Sequence, residues 1–233
     1  MPKKSSLTSV HASFIAAVNS AGSLYSAIEP FADKSKAWDA IHGWEPIHHA
    51  QARRVIALAF MHLVSAWEED VQGCFLRYMA GGASPAGWKP RLRMGPCASL
   101  GHAAQVLMRD PAFDLGSAFI SWSSWPQVVS RASLFFVGGE PFSSLTDFER
   151  QRLADAVVIR NRVAHASGKS RVEFQKLAKR HRGVSDTAHL SRAFDVGELL
   201  LAEPKLFQDT YDPNNYFAAY LWLFVALSGR IAR

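Results

Sequence analysis

The chain has 233 residues, 48% hydrophobic and 20% charged, with a formal net charge of +6. Such a composition excludes a disordered chain and leaves enough apolar mass for a real core, in one large domain or two small ones. The two cysteines, Cys74 and Cys97, are too few for a disulfide framework and read as reduced thiols of a cytosolic protein.

Taken in order, the first segment (residues 5–28) carries Leu7, Val10, Phe14, Ala17, Val18, Ala21 and Leu24 at close to the 3.6-residue period of a helix, and Pro30 stops it. His11, Ser13 and Asn19 interrupt the apolar run that a signal peptide would need after Lys3-Lys4, so a cytoplasmic protein is expected. Residues 38–46 read as a connector. Residues 47–80 form one long helix with a broad apolar stripe, ended by Gly81-Gly82. Residues 83–96 hold three prolines, with Lys89, Arg91 and Arg93 beside Trp88, and read as a loop able to stack on a base or to pack on the protein.

Short helices are predicted over residues 99–109 and 126–136, on either side of a Trp- and Ser-rich bend at 121–125; Gly138-Gly139-Glu140-Pro141 makes another break. Thr146 and Glu149 have the spacing of a capping box, which starts a helix at about Asp147 that runs to His165, with Gly168 as its stop. A basic helix over residues 170–182 follows. Helices over 194–207 and 214–231 complete the chain. The most apolar stretch, 216–227, is about half the roughly 20 residues of a membrane span, so no membrane association is expected. With no strand-like alternation and no repeat, the expected fold is a single all-α domain over residues 1–233.

The chemistry concentrates at the end of the 147–165 helix. After the apolar Ala156-Val157-Val158-Ile159 come Arg160, Asn161, Arg162 and His165, polar groups that are costly to bury without partners. Asn161 and His165 stand one turn apart on one face, and the long Arg160 side chain can reach the same spot. From Lys169 to Arg182 six basic residues (Lys169, Arg171, Lys176, Lys179, Arg180 and Arg182) face the single acid Glu173, a local field suited to a polyanion or simply a solvated surface.

The R-N-x-x-x-H pattern on an apolar helix resembles the signature of the HEPN superfamily. Over about residues 50–227 the chain is most similar to its RiboL-PSP-HEPN subgroup, whose early aromatic-acidic pair is matched by Trp67-Glu68. The N-terminal helix and the 96–142 insert have no counterpart in that likeness. The resemblance implies a HEPN-like helical bundle and a metal-independent endoribonuclease, a toxin or anti-phage defence effector working as a homodimer. It also implies an antitoxin or other defence-system partner.

In that scheme the RNA 2′-hydroxyl is the nucleophile. His165 moves the proton, as imidazole is suited to do near neutral pH, and Arg160 stabilises the phosphate charge. Asn161 orients His165 or holds a phosphate oxygen, and Glu68, preferred over Glu69 and Asp70, pairs with Arg160 or His165. Arg162, Lys169, Arg171, Lys176, Lys179 and Arg180 are the expected RNA contacts. A two-fold axis would supply one histidine as base and the other as acid.

No cofactor is called for, since the sequence lacks H-E-x-x-H, Cys/His ligand spacing and a clustered set of acids. Among the remaining histidines, His48 and His49 are expected to diverge on a helix, His62 to be half-buried and hydrogen-bonded, and His181 and His189 to lie on the surface. The alternative function is a non-catalytic RNA-binding or partner-binding module of the same fold, in which Arg160 and His165 only hold the dimer.

Overall fold

The computed structural model describes residues 6–32, 47–191, 194–207 and 213–232; the connector expected at 38–46, with His42, lies outside them. The protein is all-α. Eight α-helices run in chain order among the described residues: α1 (Leu7–Ile28), α2 (His49–Met79), α3 (Leu100–Met108), α4 (Trp125–Phe135), α5 (Asp147–Ala164), α6 (Gly168–Arg182), α7 (Val196–Leu201) and α8 (Tyr216–Ile231). None of them is long and apolar enough to cross a membrane.

The helix ends obey local chemistry. The Thr146 N–H donates to Glu149 Oε2 (2.8 Å) and the Glu149 N–H to Thr146 Oγ1 (3.3 Å), which is the capping box expected of α5. Gly183, at φ 65°, caps α6 in the left-handed conformation that costs glycine least. Two expectations change. Gly168 opens α6 instead of stopping α5, because Ser167 is the better cap: its side chain accepts from the Ser170 N–H. The helix expected over 194–207 shrinks to the six residues of α7. Ala202 is already extended (ψ 155°), and Glu203 precedes Pro204, whose ring disfavours helical backbone in the residue before it.

The helices divide between two compact units. The first holds the described parts of Met1–Ala16, Ser65–Ala154 and Phe224–Arg233. Phe75 is the hub of its core, with ring centroids 4.9 Å from Phe142, 5.0 Å from Phe136 and 5.1 Å from Trp122. Trp67 lies against Trp125 (6.0 Å) and Phe224 (5.4 Å). The insert over residues 96–142 is therefore core material for the second half of α2, and Trp122 is tied there by a 2.8 Å bond from its Nε1 to Gln72 Oε1. In the 83–96 loop, Trp88 packs edge-on against Tyr78 at 5.7 Å.

A polar cluster lies inside this unit. Asp70 is 2% exposed, its Oδ2 is buried without a hydrogen-bond partner among the described residues, and Ser228 Oγ lies 2.9 Å from His11 Nδ1. Burial pushes the Asp70 carboxyl up to about 6; the nearby Ser228 hydroxyl and His11 act against that rise without cancelling it, and the buried Cys74 thiol lies 4.0 Å away. With its folded pKa above the unfolded one, Asp70 binds more protons in the native state, so its contribution to stability falls as pH rises from roughly 4 to 6, by about 3 kcal/mol in all. Asp70→Asn is expected to flatten this part of the pH profile and to be more stable than the parent at pH 7. Urea melts of both proteins across that range test it, and identical profiles would remove the carboxylate as the cause.

The second unit holds the described parts of Ala17–Val64 and Asp155–Leu223. Phe60 packs edge-on against Tyr220 at 5.1 Å, and Tyr25 stacks on Phe217 at 4.5 Å. Tyr216, Phe217 and Tyr220 are fully buried here, as is Phe224 in the first unit, so these aromatics of α8 are core; Trp222 is 51% exposed. Helix α7 sits so close to α2 that a Cβ built on Gly197 would lie 2.4 Å from the Arg53 carbonyl oxygen. Backbone cannot yield there as a side chain can. Gly197→Ala is expected to cost about 1–3 kcal/mol in a denaturant melt, and an unshifted midpoint would mean that α7 is not seated in this way.

Candidate functional site

Helix α5 ends where the chemistry begins. The His165 N–H donates to the Asn161 carbonyl (2.9 Å) as the last helical bond, and the Ser170 hydroxyl donates to the His165 carbonyl (2.7 Å). Ser170 is buried, so the turn carrying His165 is held from inside, at the entry to α6. The imidazole itself is exposed and makes no hydrogen bond among the described residues. Arg160 and Asn161 are half-buried, and Arg160 Nη1 donates to Asn161 Oδ1 at 2.9 Å. Asn161 thus orients the guanidinium, not His165. Its single amide nitrogen, Nδ2, stays available as a donor.

Beside this turn lies a groove of about 450 Å³, lined by α2 (Ala50, Arg53, Arg54, Ala57 and Leu58), by Arg162, Val163 and Ala166, and by Phe194 to Gly197. Arg162, an expected RNA contact, is one of its lining residues. Arg53 is held by Glu198 at 2.9 Å, and Asp195 caps α7 by accepting from the Glu198 N–H at 2.8 Å. Arg54 and Arg162 have no hydrogen-bonding or ionic partner among the described residues. Arg53 and Arg54 carry no local sequence signal, since a basic pair on a long helix reads as solvated surface.

The basic helix is less uniform than its sequence. Lys169, Arg171 and Lys176 are exposed, Lys169 with Glu173 3.9 Å away. Lys179 donates to the Asp186 carbonyl, and Arg180 is paired with the buried Asp155. Asp155 also lies 2.9 Å from Nε2 of His181, which is fully buried under Tyr216, whose hydroxyl donates to the His181 carbonyl at 2.8 Å. His181 is therefore not the surface residue its charged neighbours suggest. The signal was Asp155, a lone acid in the apolar run 153–159 that needs a partner inside the protein.

Glu68, at 8% exposure, is buried, while Glu69 is exposed; Glu68 belongs to the first unit and the motif to the second. His62 is exposed, not half-buried. His48 and His49 do not diverge: their rings are 4.1 Å apart, because His48 precedes α2 and accepts from the Ala50 N–H through Nδ1. His189 is exposed. Among the described residues no group of three or more His, Cys, Asp or Glu side chains could hold a metal ion.

No family model, no curated protein and no solved structure matches the chain.

Proposed function

We propose that the protein is a metal-independent endoribonuclease of the HEPN type, acting as a toxin or anti-phage effector in the cytoplasm. The observation that carries this reading is an exposed imidazole without hydrogen bonds among the described residues, His165, five positions along the same helix end from an Arg160 guanidinium bonded to Asn161. An unengaged imidazole can take or give a proton, and an oriented guanidinium can meet the charge that builds on a phosphorane-like transition state. RNA carries its own nucleophile, so these two functions suffice for transesterification to a 2′,3′-cyclic phosphate and a 5′-hydroxyl. Pairing of two copies of α5 across a two-fold axis would supply the second histidine.

The non-catalytic reading draws on the same Arg160–Asn161 bond, since a guanidinium held by its own helix also suits a structural role. Incubation of the purified protein with total RNA in EDTA separates the two. Cutting that survives chelation and disappears in folded His165→Ala and Arg160→Ala variants supports the nuclease. Identical behaviour of all three proteins leaves the binding module. Growth arrest on expression, cured by His165→Ala, adds the toxin role.

A further inference from the structure

We infer that the groove between α2 and the end of α5 is the seat of a single RNA strand, with Arg54 and Arg162 each taking a backbone phosphate. The inference rests on the nuclease reading for its ligand and on separate residues for its evidence. Of the charged groups at the groove, Arg53 is paired with Glu198, and Asp195 caps α7 while keeping its negative charge, so the unpaired guanidiniums of Arg54 and Arg162 leave the groove net positive. Between them the walls are apolar: Ala57, Leu58, Val163, Ala166 and Val196, with Leu58 left 44% exposed. Fixed positive charge alternating with an apolar surface matches a nucleotide, which presents an anionic phosphate beside a flat, weakly hydrated sugar and base. An acidic peptide would leave the apolar wall without use.

The volume also selects. At about 450 Å³ the groove has the size of a small-ligand site, enough for about one flexible nucleotide unit and too small for a duplex. Ala166, on the groove wall, adjoins His165 in the chain, so a strand gripped here passes next to the candidate catalytic residue. None of this depends on the exposed lysines of α6.

The test is equilibrium binding of a short fluorescein-labelled uridine homopolymer to the full chain carrying His165→Ala, measured over a salt series. Arg54→Ala and Arg162→Ala are each expected to weaken binding about tenfold, as loss of a charge-assisted phosphate contact does. Each should lower the slope of log affinity against log salt by about 0.7, the value for one phosphate on a single strand. Lys205→Ala, at an exposed residue that does not line the groove, should bind as the parent does.

Equal affinity and equal slope for Arg54→Ala and its parent would overturn the groove while leaving the nuclease intact, provided the wild type still cuts RNA. Arg54-dependent binding without any cutting by the wild type would uphold the groove and remove the nuclease. An oligo-glutamate peptide that binds as tightly as the RNA would overturn the groove as a nucleic-acid site, and absence of RNA binding altogether would overturn both.

Discussion

Asp155→Ala is expected to destabilise the protein by roughly 3 kcal/mol, the upper end of what leaving a buried polar group without its charged partner costs. Asp155 is 2% exposed and is bonded to two groups, the Arg180 guanidinium at the surface and the imidazole of His181, itself fully buried. Without the carboxylate, a buried imidazole loses its acceptor and the last turn of α6 loses its tie to α5. Arg180 returns to water at little cost, so most of the loss comes from His181. Asp155→Asn keeps the shape and one acceptor and should lose less. Urea denaturation of the three proteins measures this directly. A midpoint for Asp155→Ala within about 0.5 kcal/mol of the parent would show the pair to be of no more consequence than an ordinary surface substitution.

The second large effect is catalytic. His165→Ala is expected to lower RNA cleavage by about a hundred- to ten-thousandfold, the range over which a positioned acid or base contributes, with stability nearly unchanged because the imidazole is exposed and unbonded. That split between activity and stability distinguishes the site from Asp155, where the order is reversed. Arg160→Ala should combine a loss of cleavage with a modest loss of stability, since its guanidinium is half-buried and bonded to Asn161. If His165→Ala cuts RNA at the parental rate, proton transfer at this position is ruled out and the binding module is what remains.

Helix positions and most helix ends were legible in the residues, because the signals are local. The 3.6-residue period, the Thr146/Glu149 box and Gly183 act within one or two turns of chain. The polar run Arg160–His165 was legible for the same reason, as a departure from an apolar period. Where local signals compete, sequence reading erred: Gly168 looked like a stop until Ser167 proved to be a cap, and the apolar content of residues 194–207 hid the effect of Pro204.

What the residues alone determined is an all-α chain with an unusual polar cluster at the end of one helix. Tertiary structure decided which of its charges are available. Asp155 and His181 are 26 positions apart, and Arg53 and Glu198 are 145 apart, so no periodicity connects them. These pairings engage Arg180 and Arg53, while Arg54 and Arg162 have no partner among the described residues and lie beside a groove. The physical reason is that a charge takes its meaning from the partner and dielectric around it, and both are supplied by segments remote in sequence.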